Sequence, residues 1–472
     1  MSRCLSYSNA SNIYRKGFCS TSCFATAAVQ AKTFSRPDKP NIVLVDAVRT
    51  PFVQSGTVFK NMMAYDLQRS ALLAVLPALF TALVDRTKVN INDVGHIVCG
   101  TVIQECKTSN VAREAALTAG FSDKIPAHTV TLACISSNVA ITNIMNLLAT
   151  GYCNVGIAGG VELLSDVPIR YNRKARSAML SLNKAKKVSE KLKVLKDVAI
   201  NLFTPELPAV AEFTSGETMG HSGDRLAAAF GVTRREQDEF ALRSHALADR
   251  AIKNNLLSDV ISVFVPGRKP AIVHKDNGIR TSSLEKLSQL KPSFVKLHGT
   301  ITAGNSSFLT DGASASLIMT EDYALKKGYK PKAYLRDFQY VAQDPTDQLL
   351  LSPAYAIPTL LEKVGLTLND IDVFEIHEAF AGQILANLNA MDSDYFCKEM
   401  LKRSSKYGRI PEEKLNTWGG SIALGHPFGA TGVRLVSHAA NRLQHEQKHL
   451  AVVSGCASGG HGIAMLIENY AK

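Results

Sequence analysis

Short runs of apolar residues ending in glycine alternate with longer stretches in which apolar residues recur every three or four positions along this 472-residue chain. Asn41-Ile-Val-Leu-Val45 reads as a buried strand, and Leu67 to Leu83 as an apolar helix. The alternation continues, which predicts an α/β sheet fold. A repeat is visible within it. Ile91-Asn-Asp-Val94 before Ile97-Val98 resembles Leu368-Asn-Asp-Ile371 before Val373-Phe374, in both cases an acidic turn entering an apolar run. Val155 to Gly160 and Ala451 to Cys456, followed by Gly459-Gly460, are apolar strands that each end in glycine. Two related halves account for this economically.

Between the halves, residues 165–294 have a different character. Val188, Leu192, Leu195, Ala199 and Leu202 share one face of a predicted helix, with lysines elsewhere on the wheel, and Pro205 and Pro208 end it. Thr233 and Glu236 form a capping box that opens a helix running to Asn254. The insertion reads either as a lid over a site between the halves or as an ordinary elaboration.

Composition excludes several classes. Hydrophobic residues make up 46% and charged residues 20%, as in an ordinary globular chain. The longest apolar stretch, Ala71 to Val84, contains Pro77 and is shorter than the roughly 18 residues that indicate a membrane span. The net charge of +12 is unevenly placed: residues 1–37 carry +5 with no acid, Arg170 to Lys196 carry +9, and the remainder is −2. The first segment, basic and Ser-rich, has the composition of a mitochondrial transit peptide, the alternative being a disordered basic tail. The second predicts a basic amphipathic helix over 184–203, suited to an anionic membrane surface or to a solvated face of its own domain. No aromatic-and-basic interleaving suggests nucleic acid. The nine cysteines contain no CxxC pair, and no phosphate loop, dinucleotide fingerprint or metal-ligand spacing occurs.

Four segments carry candidate chemistry. Thr131-Leu-Ala-Cys134-Ile-Ser-Ser-Asn138 sets a cysteine where an apolar run turns into a helix, whose free N–H groups predict a lowered thiol pKa and donors for an oxyanion. Asn416 to Gly432 is a glycine-rich loop that holds His426 beside Pro427. Ser454-Gly-Cys456-Ala-Ser-Gly-Gly-His-Gly462 places a second cysteine at a strand exit, and His377-Glu-Ala-Phe380 follows an apolar strand. His221, His298 and His461 have no catalytic context and read as structural or surface residues.

Together these segments, with Gly299 to Ala313 as a return strand, resemble the signature motifs of thiolases, CoA-dependent enzymes that cleave or form 3-oxoacyl thioesters. The resemblance implies the thiolase fold: two duplicated βαβαβαββ halves layered α-β-α-β-α, with a mostly helical loop domain inserted. On that pattern residues 38–164 and 295–322 form the first half, 165–294 the insertion and 323–472 the second half. It further implies that Cys134 is the acylated nucleophile, that His426 takes its proton, and that Cys456 moves protons at the acetyl-CoA carbon and the CoA thiol. His377 stands where thiolases usually have an Asn that holds an oxyanion water. Ser458 stands where many have Gly, its backbone N–H pairing with that of Cys134 in a second oxyanion hole. Ser307 matches a serine near the pantetheine arm. CoA is a substrate; neither a cofactor nor a metal is implied.

The basic insertion and the His-Glu-Ala-Phe variant resemble more closely the trifunctional-enzyme beta branch of the family, which acts in mitochondrial fatty-acid oxidation. That implies long-chain 3-oxoacyl-CoA substrates, a beta–beta dimer, an alpha subunit carrying hydratase and dehydrogenase activities, and a peripheral place on the matrix side of the inner membrane. Two other readings stand beside it. One is a biosynthetic condensing thiolase, whose catalytic residues run the same chemistry in reverse. The other is a non-catalytic membrane scaffold, which the retention of all four chemical motifs disfavours.

Overall fold

The computed structural model describes residues 39–73, 82–182, 184–201, 204–209 and 211–470. The basic leader 1–37, part of the apolar helix expected over 67–83, and Leu202 lie outside them. The strands are β1 (Ile42–Arg49), β2 (His96–Gly100), β3 (Ala127–Val130), β4 (Val155–Glu162), β5 (Thr310–Thr320), β6 (Ala333–Ala342), β7 (Val373–Ile376), β8 (Leu450–Ala457) and β9 (His461–Asn469). They form one sheet in the order β7-β8-β9-β6-β1-β5-β4-β2-β3. Each half pairs its outer strands in parallel and its inner ones antiparallel. The halves meet where β1 pairs with β6, through Val43–Tyr334 and Leu44–Ala333.

The internal repeat extends to small detail. Ile91–Asp93 and Leu368–Asp370 are both single 3-10 turns that feed β2 and β7. Strand β1 bulges between Leu44 and Asp46, and β6 between Leu335 and Asp337. In each bulge the aspartate Oδ1 accepts the next residue's N–H at 2.8 Å. A lysine caps each carboxylate, Lys332 on Asp46 at 2.7 Å and Lys363 on Asp337 at 2.8 Å. The return strand is shorter than the motif that announced it: residues 299–309 are irregular and β5 begins only at Thr310.

The core helices are α1 (Ala64–Leu72), α2 (Val111–Thr118), α3 (Ser136–Ala149), then α4 (Arg173–Leu182), α5 (Val188–Asn201), α6 (Met219–Ala229) and α7 (Arg234–Lys253) from the inserted region. They are followed by α8 (Ser352–Val364), α9 (Ala381–Met391), the single turn α10 (Ser421–Leu424) and α11 (Thr431–His445). Helices α3 and α11 occupy the middle layer and pack on both the strands and each other. Their apolar faces, among them Ile141, Ile144, Val433 and Val436, share one buried cluster with strand residues of both halves. Helices α1 and α2 cover the outer face of the first half, and α8 and α9 form the outer layer of the second. The α-β-α-β-α layering expected for the fold is thus present.

In the inserted region Thr233 caps α7 as the sequence predicts, its side chain accepting from the Glu236 N–H. Helices α4 and α5 pair as a hairpin, closed at its base by Arg170–Tyr171 against Pro205–Glu206. Val188, Leu192 and Leu195 on α5 remain 74%, 63% and 49% exposed. No described helix is long and apolar enough to cross a membrane.

The two halves interlock through backbone. A Cβ at Gly160 would lie 1.8 Å from the Gly429 carbonyl oxygen, and one at Gly432 would lie 2.2 Å from Asn138 Oδ1. Gly160→Ala is expected to destabilise the protein by at least about 1–3 kcal/mol, the usual cost of overpacking. A lowered urea midpoint checks this; an unchanged midpoint contradicts the interlock.

Candidate active site

Four loops converge where the amino ends of α3 and α11 meet. The chain leaves β3 and turns sharply: Ala133 sits at φ +43, a region costly for a residue with a Cβ. Ser136 holds this turn, its Oγ accepting the Leu132 N–H at 2.8 Å and donating to the Ala133 carbonyl at 2.7 Å. Cys134 is thereby presented at the start of α3.

Across from it, His426 is buried, and its main-chain N–H bonds Thr310 Oγ1 at 3.0 Å. Its Nδ1 lies 2.7 Å from Thr431 Oγ1, whose own hydrogen goes to the Pro427 carbonyl at 3.0 Å. The threonine hydroxyl has one hydrogen, so it accepts from Nδ1–H and leaves Nε2 as a free lone pair. That Nε2 is buried with no partner among the described residues, as is Nε2 of His377. The two imidazoles lie against each other, with centroids 3.9 Å apart and ring planes tilted by 38°. Cys134 Sγ and one ring nitrogen from each histidine lie within 4.8 Å of one another. The sequence showed no metal-ligand spacing, yet folding assembles three donor atoms that could also grip a thiophilic cation such as Zn²⁺.

The second cysteine, Cys456, is fully buried on β8; burial raises its thiol pKa, and negative charge on nearby Cys134 raises it further. The next turn brings the Ser458 N–H onto the Cys134 sulfur, alongside the N–H of Cys134 itself. Ser307 lies in the segment that links two other motifs: its N–H bonds the Ala379 carbonyl at 3.0 Å, and neighbouring Ser306 and Leu309 bridge to Phe380 and His426. All the residues expected from the sequence therefore gather around one site. His221 instead pairs with Glu217 at 2.8 Å on the surface, His298 is exposed and His461 lies at the start of β9.

The chain matches the family profile "Thiolase, N-terminal domain" over residues 42–322 and "Thiolase, C-terminal domain" over 329–469. The chain belongs to the thiolase family. It is 68% identical over 449 residues to a probable 3-ketoacyl-CoA thiolase of Caenorhabditis elegans, covering 95% of this chain and 98% of that one. It is 60% identical to the mitochondrial trifunctional enzyme subunit beta of Homo sapiens, covering 96% of this chain and 94% of that one. Among solved structures, human mitochondrial 3-ketoacyl-CoA thiolase superposes with a TM-score of 0.75 at 29% identity, covering 92% of this chain and 99% of that one.

One sequence expectation about this thiolase site is reversed. The helix terminus was expected to lower the Cys134 pKa; instead the thiol is pushed up to about 12. Burial outweighs the N–H donors, and the carboxylates of Glu162 and Glu212 add to it. Burial likewise pulls His377 down to about 3, helped by the positive charge of Arg434, and His426 well below the usual imidazole range. At neutral pH the thiol and both rings rest uncharged.

Several contributors escaped the sequence. Glu162, at the end of β4, accepts N–H bonds from Val102, Ile103 and Gly429. Glu212, from the inserted region, accepts from the Ser458 hydroxyl and from the Gly459 N–H. Ser421 and Arg434 stand behind His377. Only Ser421 lies inside a segment singled out for its glycines and short of the helix start; the others have no local signal.

With the thiol pKa so high, iodoacetamide labelling of Cys134 should accelerate about tenfold per pH unit between pH 7 and 9 with no plateau. Peptide mass spectrometry follows the site. A plateau below pH 8 would mean a preformed thiolate.

Proposed function

We propose that this protein thiolyses long-chain 3-oxoacyl-CoA to acetyl-CoA and an acyl-CoA two carbons shorter, with Cys134 as the acylated residue. The reaction class is that of a 3-ketoacyl-CoA thiolase of mitochondrial fatty-acid β-oxidation, an acyltransferase. The observation that carries the residue roles is the clustering of Cys134 Sγ with one ring nitrogen each of His426 and His377, two buried rings whose Nε2 atoms have no partner among the described residues.

In the first half-reaction, Cys134 Sγ attacks the 3-oxo carbon as His426 Nε2 takes the thiol proton. The alkoxide is held by the N–H groups of Cys134 and Ser458. Its collapse forms the acyl–Cys134 thioester and breaks the C2–C3 bond. The electron pair passes into the acetyl-CoA enolate, whose oxygen faces the imidazole N–H groups of His426 and His377, and Cys456 supplies the proton to C2. In the second half, the Cys456 thiolate removes the proton of the incoming CoA thiol, and CoA sulfur attacks the acyl carbon. The tetrahedral oxyanion returns to the Cys134–Ser458 hole, Cys134 leaves, and it regains its proton from His426. CoA acts throughout as substrate, and no metal takes part in any step.

Two clefts fit the two ends of such a substrate. One of about 320 Å³, with His245, Arg280, Lys286, Ser306 and Phe308 in its wall, flanks Ser307 and offers cations for the CoA phosphates. Another of about 580 Å³, whose wall mixes Val102, Ile103, Pro168 and Leu207 with Gln104, Arg170 and Glu206, opens where the turn to Cys134 begins, and there the reading places the acyl tail. The reading assigns 38–164 with 295–322, and 323–472, to the catalytic halves, and 165–294 to a lid and membrane-associating loop domain.

The relatives named trifunctional enzyme subunit beta support a mitochondrial location and partnership with an alpha subunit. Dimerisation of this chain and peripheral contact with the matrix side of the inner membrane belong to the same proposal. For the contact, α5 presents exposed apolar residues, and Lys186, Lys187, Lys191 and Lys196 lie beside them. Retention of every catalytic group favours an enzyme over a scaffold.

Cys134→Ala should abolish the covalent acyl adduct seen by mass spectrometry after 3-oxoacyl-CoA is added. An undiminished adduct contradicts the assignment. Vesicles containing cardiolipin should bind the protein in a salt-sensitive manner, and replacing the four lysines by Gln should weaken binding severalfold. Equal binding of the variant would remove the membrane role.

A further inference from the structure

His377 offers the reacting oxygen either a lone pair or an N–H, depending on which ring nitrogen holds its proton. Only the N–H stabilises negative charge. The groups behind the ring decide between them. Its Nδ1 lies 2.9 Å from Ser421 Oγ, in the first turn of α10. Arg434, in the first turn of α11, places Nη2 2.7 Å from the same Oγ. All three residues are buried, with Ser421 and Arg434 wholly inaccessible.

A guanidinium can only donate, so Arg434 occupies a lone pair of Ser421 Oγ. The serine keeps one hydrogen, and among the described residues its remaining side-chain partner is His377 Nδ1. Were the ring to donate from Nδ1, the buried hydroxyl hydrogen would have no acceptor, a cost of about 1–3 kcal/mol. The chain of donation therefore runs Arg434 to Ser421 to His377. It ends with the proton on Nε2, the nitrogen without a protein partner. His426 is held the opposite way, through Thr431 and Pro427. The two adjacent rings thus meet the site with complementary edges at rest, one an acceptor for the Cys134 proton and the other a donor.

Arg434 adds a second effect. Its Nε and Nη1 have no hydrogen-bond partner among the described residues, and its nearest acid is Glu375 at 3.8 Å. The positive charge so close behind the ring opposes its protonation, which keeps the donor neutral and its tautomer the controlling variable.

We propose that Ser421, oriented by Arg434, is a positioning residue that locks His377 in its Nε2–H tautomer and so makes the imidazole itself an oxyanion donor. The inference rests on the oxyanion role given to His377 above.

A double-mutant cycle on thiolysis, read as kcat and KM separately, tests it. Ser421→Ala should lower kcat about 10- to 100-fold, a fraction of the loss when an oxyanion donor is removed outright, with KM changed less than about threefold. In a His377→Ala background the same substitution should cost almost nothing further, because the ring it orients is gone. An equal loss in both backgrounds would show a merely structural role and overturn the inference. Imidazole ¹⁵N NMR of the wild-type enzyme gives a readout that needs no variant. A protonated Nε2 and a bare Nδ1 on His377 are expected, and the reverse tautomer overturns the proposal. If His377→Ala itself keeps full kcat, the oxyanion role falls and this inference with it. A large loss in His377→Ala with additive Ser421→Ala sinks the inference alone.

Discussion

The contact on which this molecule depends is backbone against backbone, where the glycine loop of the second half enters the first. Gly160 and Gly429 approach so closely that no side chain fits between them, and Gly432 leaves room in the same seam for the Asn138 side chain and main-chain N. That approach sets the amino ends of α3 and α11 face to face. Cys134 precedes one helix and His426 the other, so the proposed nucleophile and base are related by the packing of two central helices rather than by any flexible loop. Glu162 seals the seam by accepting N–H groups from both sides of it. Every later property of the site inherits this geometry, because the residues proposed to meet substrate occupy the ends of elements whose other faces are core.

Enclosure then fixes the electrostatics. The partly buried Cys134, the buried Cys456 and two buried imidazoles all favour their neutral forms, and a wholly buried arginine behind the rings reinforces this for the histidines. Such a site stores no ion pair. In the proposed reaction charge arises only as sulfur attacks carbon, and it arises on oxygen, where preorganised N–H groups await it. The inserted region takes part as well. Glu212 grips the turn that carries the Ser458 N–H, which ties one oxyanion donor to the segment that also bears the exposed α4–α5 hairpin.

Much of this was legible in the chain. The acidic turns Ile91–Asp93 and Leu368–Asp370 betray the duplication because a 3-10 turn before a buried strand is a local pattern, and the repeated bulges bear it out. The glycine loops and the two cysteines likewise announce chemistry locally, and the capping box of α7 is written in two residues. Properties that depend on distant neighbours were not legible. The sign of the Cys134 shift came out wrong because a helix terminus is visible in sequence while the burial around it and two remote carboxylates are not. Ser421 meets His377 across 44 residues of chain and Arg434 meets Ser421 across 13, contacts that no periodicity encodes. The return strand was placed too early because the residues before Thr310 are recruited to bridge Phe380 and His426 instead of the sheet.

In the proposed reaction Cys134 and His426 rest neutral, and the proton moves while sulfur attacks the 3-oxo carbon. The solvent deuterium isotope effect on the pre-steady-state acylation of Cys134 by a 3-oxoacyl-CoA, taken at the pH plateau, tests it most directly. A proton in flight predicts a normal effect, with acylation slower in D₂O and a dependence on deuterium fraction that reports one moving proton. An absent or inverse effect would reveal a thiolate–imidazolium pair formed before substrate arrives, and would contradict the account.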